Sequence, residues 1–367
     1  MSFILTFLGK GGTGRTTVAI AAAKALASQG QRVLLLGHNA DLALNLLLGE
    51  KGFSSEPRTV ATGFSVASLS AAQLLEQSWE QVKQLEAQYL RTPFFKNVFG
   101  QELGVLPGLD AALALYSLKG FDASGNYDVI IFDAQDSAST LRMFGMPEVL
   151  SWYLRRFRQV FVESDLGRAL SPFLQPIAST VLNNVDWTSG NFSQPFSMAD
   201  DELTQGIRAV ADPNRVAAYL VTTVDPLAMR TAQYLWGSAQ QANLTVGGVL
   251  LNQSGNLHVL HERFMPLPMH ALPGRTDDIW QPLMDSLPNF RQEVLQAPKP
   301  MSVDVAGRQV KLFLPGFDKS QVQLTQYGPE LTISAGDQRR NLFLPPELKG
   351  QKVTGAKFQD GYLIISF

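Results

Sequence analysis

The sequence of 367 residues contains no cysteine, four histidines and 17% charged residues, with a net charge of −2. The absence of cysteine excludes disulfide bonds, thiolate nucleophiles and cysteine-ligated zinc. With so little net charge, we do not expect the basic face that nucleic-acid binding requires. No apolar run reaches the roughly 20 residues of a transmembrane helix, and the N-terminus lacks the basic segment of a signal peptide. We therefore expect a cytoplasmic protein with no transmembrane segment and no nucleic-acid partner.

A glycine-rich segment with the sequence GKGGTGRTT occupies residues 9–17. It follows an apolar stretch at Phe3 to Leu8 and precedes another at Val18 to Ala23. This order of strand, turn and helix is typical of phosphate-binding loops, because backbone N–H groups of the turn and helix N-terminus converge on an anion. Thr16 stands where a hydroxyl ligates Mg²⁺, and Arg15 replaces the lysine of the standard loop with a larger planar cation. The segment predicts a nucleotide-phosphate site; a glycine-rich turn without a ligand is the alternative.

Apolar runs alternate with helical stretches over most of the chain. After the first run, the predicted strands are Gln31 to Gly37, Tyr127 to Asp133, Gln159 to Glu163, Arg215 to Thr223 and Val246 to Asn252. Continuous Val, Ile and Leu runs of this kind predict an α/β fold, in which a parallel sheet has helices on both faces. Such sheets bind ligands at the carboxyl ends of their strands. Asp133 and Asn252 are therefore expected on the same rim as the glycine-rich loop.

Two inserts and a linker interrupt this alternation. Helical inserts are predicted at about residues 55–105, with helical spacing from Ala67 to Arg91, and at about 166–212. After the linker at Gln296 to Pro300, short β-rich runs alternate with turns such as Pro315-Gly316 and Asp360-Gly361. The predicted strands are Gln309–Leu314, Gln321–Leu324, Glu330–Ala335, Gln338–Leu344, Lys352–Gln359 and Tyr362–Phe367. These runs predict a small all-β sandwich, with domain boundaries at 1–297 and 298–367.

Five segments carry a family resemblance: residues 9–17, 104–110, 132–142, 147–154 and 248–253. They resemble the deviant phosphate loop KGGxGK[ST]T, the PPGxxE segment, switch II, the PExLxWYL helix and the GVVVNQ strand of ArsA-type ATPases. That P-loop family includes arsenical-pump ATPases and targeting factors for tail-anchored membrane proteins. The C-terminal segment resembles the α-crystallin-like domain of small heat shock proteins, a module known in fusion to some ArsA-type ATPases. The motifs that carry this second resemblance lie at residues 312–316, 331–333, 339–345 and 356–365.

The resemblance implies a role for each matching residue, with ATP and Mg²⁺ as cofactors. Lys10 would act catalytically by reaching across a nucleotide-sandwich homodimer to the partner's phosphates. Asp133 would hold Mg²⁺ through water, and Asn252 would contact the adenine. The loop residues expected to bind nucleotide are Gly11, Gly12, Thr13, Gly14, Arg15, Thr16 and Thr17, of which Thr16 also ligates Mg²⁺.

Switch I departs from the family pattern, which reads DPAHS. Asn39 aligns with the aspartate that is thought to orient the attacking water. An amide can position water but cannot accept its proton, and losing a general base costs about 100- to 10,000-fold in rate. Asp41 could substitute only if the loop bends, and we interpret His38 as an ordinary loop histidine. Switch II also lacks the family's Pro, Gly and His.

These observations leave three functions open. The first is a slow ATPase that couples its nucleotide state to a protein client, such as a hydrophobic segment or a membrane-protein tail. The second is a pseudo-ATPase that acts as a scaffold or chaperone. The third, an anion-transport ATPase subunit, is disfavoured because the family's arsenite site is built on thiolates. Lack of a CxxC motif likewise removes the zinc clasp of the eukaryotic-type dimer.

Three segments are candidate client surfaces: Leu166 to Asp212, Ala67 to Arg91, and the β-domain from Met301 to Phe367. The alternative for the first two is that their apolar residues pack the core, as periodic apolar residues usually do. The alternative for the β-domain is a stabilising appendage without a client, since a fold alone does not confer chaperone activity.

Overall fold

A computed structural model describes residues 1–38, 41–50, 52–70, 73–74, 108–163, 193–253, 261–276, 278–327, 330–336, 338–342 and 344–367. The strands of its first sheet are β1 (Phe3–Leu8), β2 (Val33–His38), β3 (Arg58–Ala61), β4 (Phe64–Leu69), β5 (Val129–Ala134), β6 (Val216–Thr222), β7 (Val246–Asn252) and β8 (Met269–Leu272). The helices around it are α1 (Arg15–Ser28), α2 (Asp41–Leu48), α3 (Leu109–Ala123), α4 (Ser137–Glu163), α5 (Ser193–Ala211), α6 (Pro226–Gln241), α7 (His261–Phe264), α8 (Gln281–Asp285) and α9 (Phe290–Val294).

The first sheet confirms the predicted α/β class. Its strand order is β3-β4-β2-β5-β1-β6-β7-β8, and every neighbouring pair is parallel except β3 with β4. Strand β1 lies between β5 and β6, and the chain crosses from one side of β1 to the other after β5. Such a reversal opens a crevice beyond the carboxyl ends of the strands. The glycine-rich loop follows β1 at that point.

Alternating strand residues supply two apolar layers, one on each face of the sheet. Ile4 and Leu8 pack on the face that carries α3, α4 and α6. Phe3 and Leu5 pack on the face that carries α1. Helix α1 is buried completely from Val18 to Ala23, and its alanines let the helix lie close to the strands. This packing fixes the loop that leads into the helix.

The C-terminal strands form two antiparallel sheets, here called the sandwich. They are β9 (Met301–Asp304), β10 (Gln309–Phe313), β11 (Val322–Tyr327), β12 (Glu330–Ala335), β13 (Gln338–Leu342), β14 (Gly355–Gln359) and β15 (Tyr362–Ser366). One sheet has the order β14-β15-β10-β9 and the other β11-β12-β13. Buried side chains such as Leu312, Ile333 and Ile365 share one core between the sheets. The sandwich confirms the predicted all-β class; β9 was not predicted.

The sandwich packs against α4 and α6. The Phe313 ring lies 5.4 Å from Trp236 on α6, and Phe317 lies 5.5 Å from Tyr234. Gly237 sits at the closest approach, where a Cβ would overlap the carbonyl of Pro315 and the Phe317 ring. A buried ion pair joins Arg340 Nε of β13 to Glu148 Oε1 of α4 at 3.3 Å. The two parts are therefore joined by packing as well as by the linker.

Several predicted elements differ in the structure. The strand predicted at Gln159 to Glu163 is wrong, because helix α4 continues to Glu163. Extending a helix that has already formed costs little free energy. In a short apolar run, periodicity does not distinguish a buried strand from a segment of buried helix. The predicted helical spacing from Ala67 is also wrong at its start, since Ala67 to Leu69 complete β4 as the partner of β2. The hairpin β3–β4, within the insert predicted to be helical, and strand β8 were not predicted.

Most of the candidate client segments 67–91 and 166–212 lies outside the described residues. The described end of the second is helix α5. No helix in the described ranges combines the length and hydropathy needed to cross a bilayer.

Candidate functional site

The glycine-rich loop turns sharply between β1 and α1. Gly12 and Gly14 adopt φ values of 85° and 90°, a left-handed conformation that favours glycine. Both the backbone N–H and the hydroxyl of Thr13 donate to the Lys10 carbonyl, at 3.3 and 2.9 Å. These bonds close the turn on its inner side and leave Gly11 and Gly12 on the exposed side.

The backbone donors of this loop suit an anion. No acceptor among the described residues takes the N–H groups of Gly11, Gly12, Gly14, Arg15, Thr16 and Thr17. Helix α1 has no capping side chain and no acidic residue in its first turn. A Cβ built on Gly11 or Gly12 would meet no atom within 4 Å, so the space above the loop is open. Uncapped helix donors beside open space are the arrangement that binds phosphate.

The Arg15 side chain binds switch II. Its Nη1 donates to the Ala134 carbonyl and the Ser137 hydroxyl, both at 3.0 Å, and its Nη2 donates to the Gln135 carbonyl at 2.7 Å. Burial lowers the pKa of Arg15, and the negative charges of Asp133 and Asp136 act in the opposite direction. An arginine nevertheless stays charged in proteins. The predicted nucleotide ligand Arg15 thus offers its backbone N–H to the loop, while its guanidinium is held by protein acceptors.

Ser137 is a residue of this site that the sequence analysis missed. Its hydroxyl accepts from the Gly9 N–H and donates to the Gly9 carbonyl, each at 3.0 Å, besides accepting from Arg15. These bonds join the end of β1 to the start of α4. A serine within switch II, four residues after the predicted strand ends at Asp133, was the signal available.

Asp136 caps helix α4. Its carboxylate accepts from the backbone N–H groups of Ala138 and Ser139 at 3.2 and 2.8 Å. Partial burial opposes ionisation, but the hydrogen bonds from Ser139 and Ala138 and the charge of Arg142 lower the pKa of Asp136 overall. The cap fixes where the helix begins. Arg15 and this cap therefore hold the stretch of switch II from Ala134 to Ser139.

Asp133, at the end of β5, is buried, and only 1% of its surface is exposed. Neither oxygen has a hydrogen-bond partner among the described residues; the Thr16 hydroxyl lies beside it without the geometry of a hydrogen bond. Burial raises the pKa of Asp133 to about 6, and the nearby Thr16 and Arg15 offset this only in part. Such orphaned oxygens suit a hydrated cation, as Mg²⁺ keeps several waters and uses few protein ligands. The described residues contain no group of three or more metal-binding side chains.

Asn252, at the end of β7, lies on the same rim. Its Nδ2 donates to the Thr13 carbonyl at 2.9 Å, and the side chain is buried against Gly14. The predicted adenine ligand Asn252 therefore holds the glycine-rich loop here. The juxtaposition of Asn252 with the loop agrees with the sheet-edge argument from the sequence.

Switch I is described only in part. Asn39 lies outside the described residues, so its predicted catalytic role stays a prediction. His38 ends β2 as a buried residue whose ring stacks on Phe132 at 6.0 Å, and its carbonyl accepts from the Gln135 N–H at 3.1 Å. These contacts give His38 a packing role. Asp41 begins helix α2, and Lys10 is half-buried at the start of the loop.

Two family models match the chain. The one described as anion-transporting ATPase matches residues 1–260. The one described as an HSP20-like domain found in ArsA matches residues 306–367. The first match therefore covers strands β1 to β7 and the glycine-rich loop, and the second covers strands β10 to β15 of the sandwich.

Curated relatives include proteins named as ATPases. The chain is 25% identical over 402 residues to the "Putative arsenical pump-driving ATPase" of Chlorobaculum tepidum, with 99% of this chain and 95% of that protein covered. It is 25% identical over 246 residues to "ATPase GET3" of Malassezia globosa, covering 67% and 70% of the two chains. It is 32% identical over 167 residues to the "ATPase ASNA1 homolog" of Babesia bovis, covering 45% and 44%.

Proposed function

The chain belongs to the anion-transporting ATPase family, the ArsA type, and carries the family's HSP20-like domain; on this premise we propose that it is a slow Mg²⁺-dependent ATPase that couples its nucleotide state to a protein client. The observation that carries the proposal is the meeting of two unsatisfied groups at one rim. Unbonded N–H groups of the loop lie at the start of α1, and the unpartnered carboxylate of Asp133 lies beside Thr16 in the first turn of that helix. The pair matches the two halves of a metal–nucleotide complex.

Each residue then has a physical task. The loop N–H groups would bind the phosphate oxygens, and Thr16 and Asp133 would hold the cation. Bound Mg²⁺ supplies neutralisation of the charge on the phosphate oxygens. Asn252 fixes the loop through Thr13 and lies on the rim where the base is expected. We also propose that the chain divides into two domains, residues 1–297 and residues 298–367.

Two features favour slow hydrolysis. The Arg15 guanidinium makes three hydrogen bonds to switch II, so it reaches a phosphate only by giving up these bonds. Asn39, aligned with the family's aspartate, carries no group that accepts a proton from water. Both features lower the rate without preventing nucleotide binding.

The test is calorimetric titration with ATP and with ADP, each with and without Mg²⁺, alongside phosphate release. We expect Mg²⁺-dependent binding and slow release. The Asp133→Asn variant should lose the Mg²⁺ dependence, whereas Asp304→Asn, a change at an exposed carboxylate of the sandwich, should not. Absence of binding at millimolar ATP and Mg²⁺ contradicts the proposal.

A pseudo-ATPase is the second candidate, and specific contacts favour it. Both the Arg15 guanidinium and the Asn252 amide, two groups expected to reach nucleotide, are bound to protein acceptors. In that case nucleotide binds, or fails to bind, without phosphate release. Binding with no release above the background of the Asp133→Asn variant would favour the scaffold or chaperone function.

For partners, we propose a weak, nucleotide-dependent homodimer and a hydrophobic protein client. The first rests on Lys10, whose family role exists only across an interface. Sedimentation of wild type and Lys10→Gln, with and without Mg·ATP, tests it. A fraction of dimer that changes neither with Mg·ATP nor with the substitution contradicts this role. Capture of a hydrophobic tail peptide by the full chain tests the client. An anion-transport subunit has support from the description of the family model and from the names of relatives, but the chain has no cysteine for a thiolate site.

A further inference from the structure

A cavity of about 230 Å³ lies at the seam between the sandwich and the ATPase part of the chain. Helix α4 forms one wall, the end of α6 a second, and strand β13 the third. Helix α4 begins at Ser137, beside the glycine-rich loop, and reaches the cavity further along, from Arg142 at the end of switch II to Val149. The nucleotide site uses none of these residues.

The walls carry an excess of positive charge. Three guanidinium groups line the cavity, from Arg142, Arg339 and Arg340, against the single carboxylate of Glu148. Arg340 is 4% exposed and uses its Nε on Glu148 at 3.3 Å. Arg142 is exposed and lies 3.8 Å from Asp136, while Arg339 is exposed and forms no ion pair with any described residue. The guanidinium groups of Arg142 and Arg339 thus have N–H donors available for a ligand.

A buried amide points to a ligand independently of this charge. Gln241, at the end of α6, lines the cavity with an exposed fraction of 3%. Neither its Nε2 nor its Oε1 has a hydrogen-bond partner among the described residues. Buried polar groups in native proteins almost always have a partner. The remaining wall includes apolar atoms of Met146 and Ala242, which suit a short carbon skeleton.

We propose that this cavity binds a compact organic oxyanion, held by the guanidinium groups of Arg142 and Arg339 and by the Gln241 amide. The chemistry follows from the donors, because guanidinium forks match the geometry of carboxylate and phosphate oxygens. The size follows from the volume, which is below the roughly 300–1,000 Å³ of drug-sized sites. A ligand here would bridge β13 to the helix that begins at switch II, and so would join the sandwich to the nucleotide site. The inference does not depend on ATP hydrolysis.

Titration of the full-length protein with malonate and, separately, with inorganic phosphate tests the proposal, at constant ionic strength set with sodium chloride. The readouts are calorimetric heat and the rise in melting temperature that a ligand of the folded state produces. We expect one of the two probes to bind, and the better probe identifies the oxyanion as carboxylate or phosphate. Arg339→Gln, a change at an exposed residue, should weaken binding by about tenfold or more, as should Arg142→Gln.

Two controls separate this cavity from other cationic sites. Lys357→Gln removes an exposed charge of the sandwich away from the cavity and should leave affinity unchanged. Lys10→Gln should also leave it unchanged; binding that is lost in Lys10→Gln and kept in Arg339→Gln belongs to the phosphate loop and overturns the proposal. Failure of both probes to bind at about 10 mM, or equal affinity in wild type and both arginine variants, overturns it as well.

Discussion

The Arg15→Lys substitution should lower the free energy of unfolding and raise the affinity for nucleotide. In the structure the Arg15 guanidinium donates to Ala134, Gln135 and Ser137, and two of these acceptors are backbone carbonyls of switch II. A lysine ammonium is a single point and lacks the planar fork that reaches all three acceptors. Because hydrogen bonds to charged groups contribute about 1.5–3 kcal/mol each and lysine keeps some of them, we expect a net loss of about 1–3 kcal/mol in the nucleotide-free protein.

The same quantity sets the expected gain in affinity. If wild-type Arg15 gives up its switch II bonds when nucleotide binds, the variant avoids that cost, and about 1–3 kcal/mol corresponds to roughly 5- to 150-fold tighter Mg·ATP binding. Urea unfolding without nucleotide measures the first effect and calorimetry the second. A matched control is Arg308→Lys, since Arg308 is exposed on the sandwich and its side chain makes no hydrogen bond with a described residue of switch II.

The reasoning is refuted if Arg15→Lys leaves stability unchanged, which would mean that the three hydrogen bonds contribute nothing. It is also refuted if the variant is less stable and binds Mg·ATP more weakly than wild type. That result would make the arginine a phosphate ligand in its own right.

Three further predictions concern the site and the seam. In Mg²⁺-free buffer the pKa of Asp133 is about 6 in the folded protein, against an ordinary 3.8. Ionising this buried carboxyl therefore destabilises the folded state relative to the unfolded state as pH rises from 4 to 6. Asp133→Asn should therefore be more stable than wild type by about 3 kcal/mol at pH 8 and similar at pH 4, measured by urea unfolding with EDTA; equal stability at both values contradicts the burial argument. Asn39→Asp should speed phosphate release by about 100-fold or more if Asn39 holds the position of the water-orienting aspartate, and a brisk wild type with an unchanged variant would show that the alignment is wrong. Gly237→Ala should cost about 1–3 kcal/mol because its Cβ would overlap Pro315 and Phe317, whereas Gly120→Ala, inside α3 with nothing within 4 Å, should be neutral or stabilising; equal effects in thermal unfolding would refute the packing argument.

The candidate site shows how far residue order can place side chains that are distant in the chain. The parallel strands predicted from apolar runs put Asp133 and Asn252 at the rim that holds the glycine-rich loop, and the structure brings all three together. That inference succeeded because every parallel strand presents its carboxyl end to the same edge. The partners of Arg15 could not be predicted in this way. They depend on which carbonyls of switch II turn toward α1, and the sequence pattern carries no information on that direction.

The amino-acid sequence by itself determined the fold class of the α/β and β-sandwich parts and the position of the glycine-rich loop, because these follow from periodicity and turn residues. It also determined the family, through the resemblance of five segments to the motifs of that family. Packing decided the rest. The run Gln159 to Glu163 became helix because it continues α4, and Ala67 to Leu69 became strand because β2 offered an edge to pair with. Likewise the seam, with its Arg340–Glu148 ion pair and its unpartnered Gln241, exists only once β13 lies against α4. Contacts between surfaces remote in sequence depend on shape and burial, which only the tertiary structure brings into being.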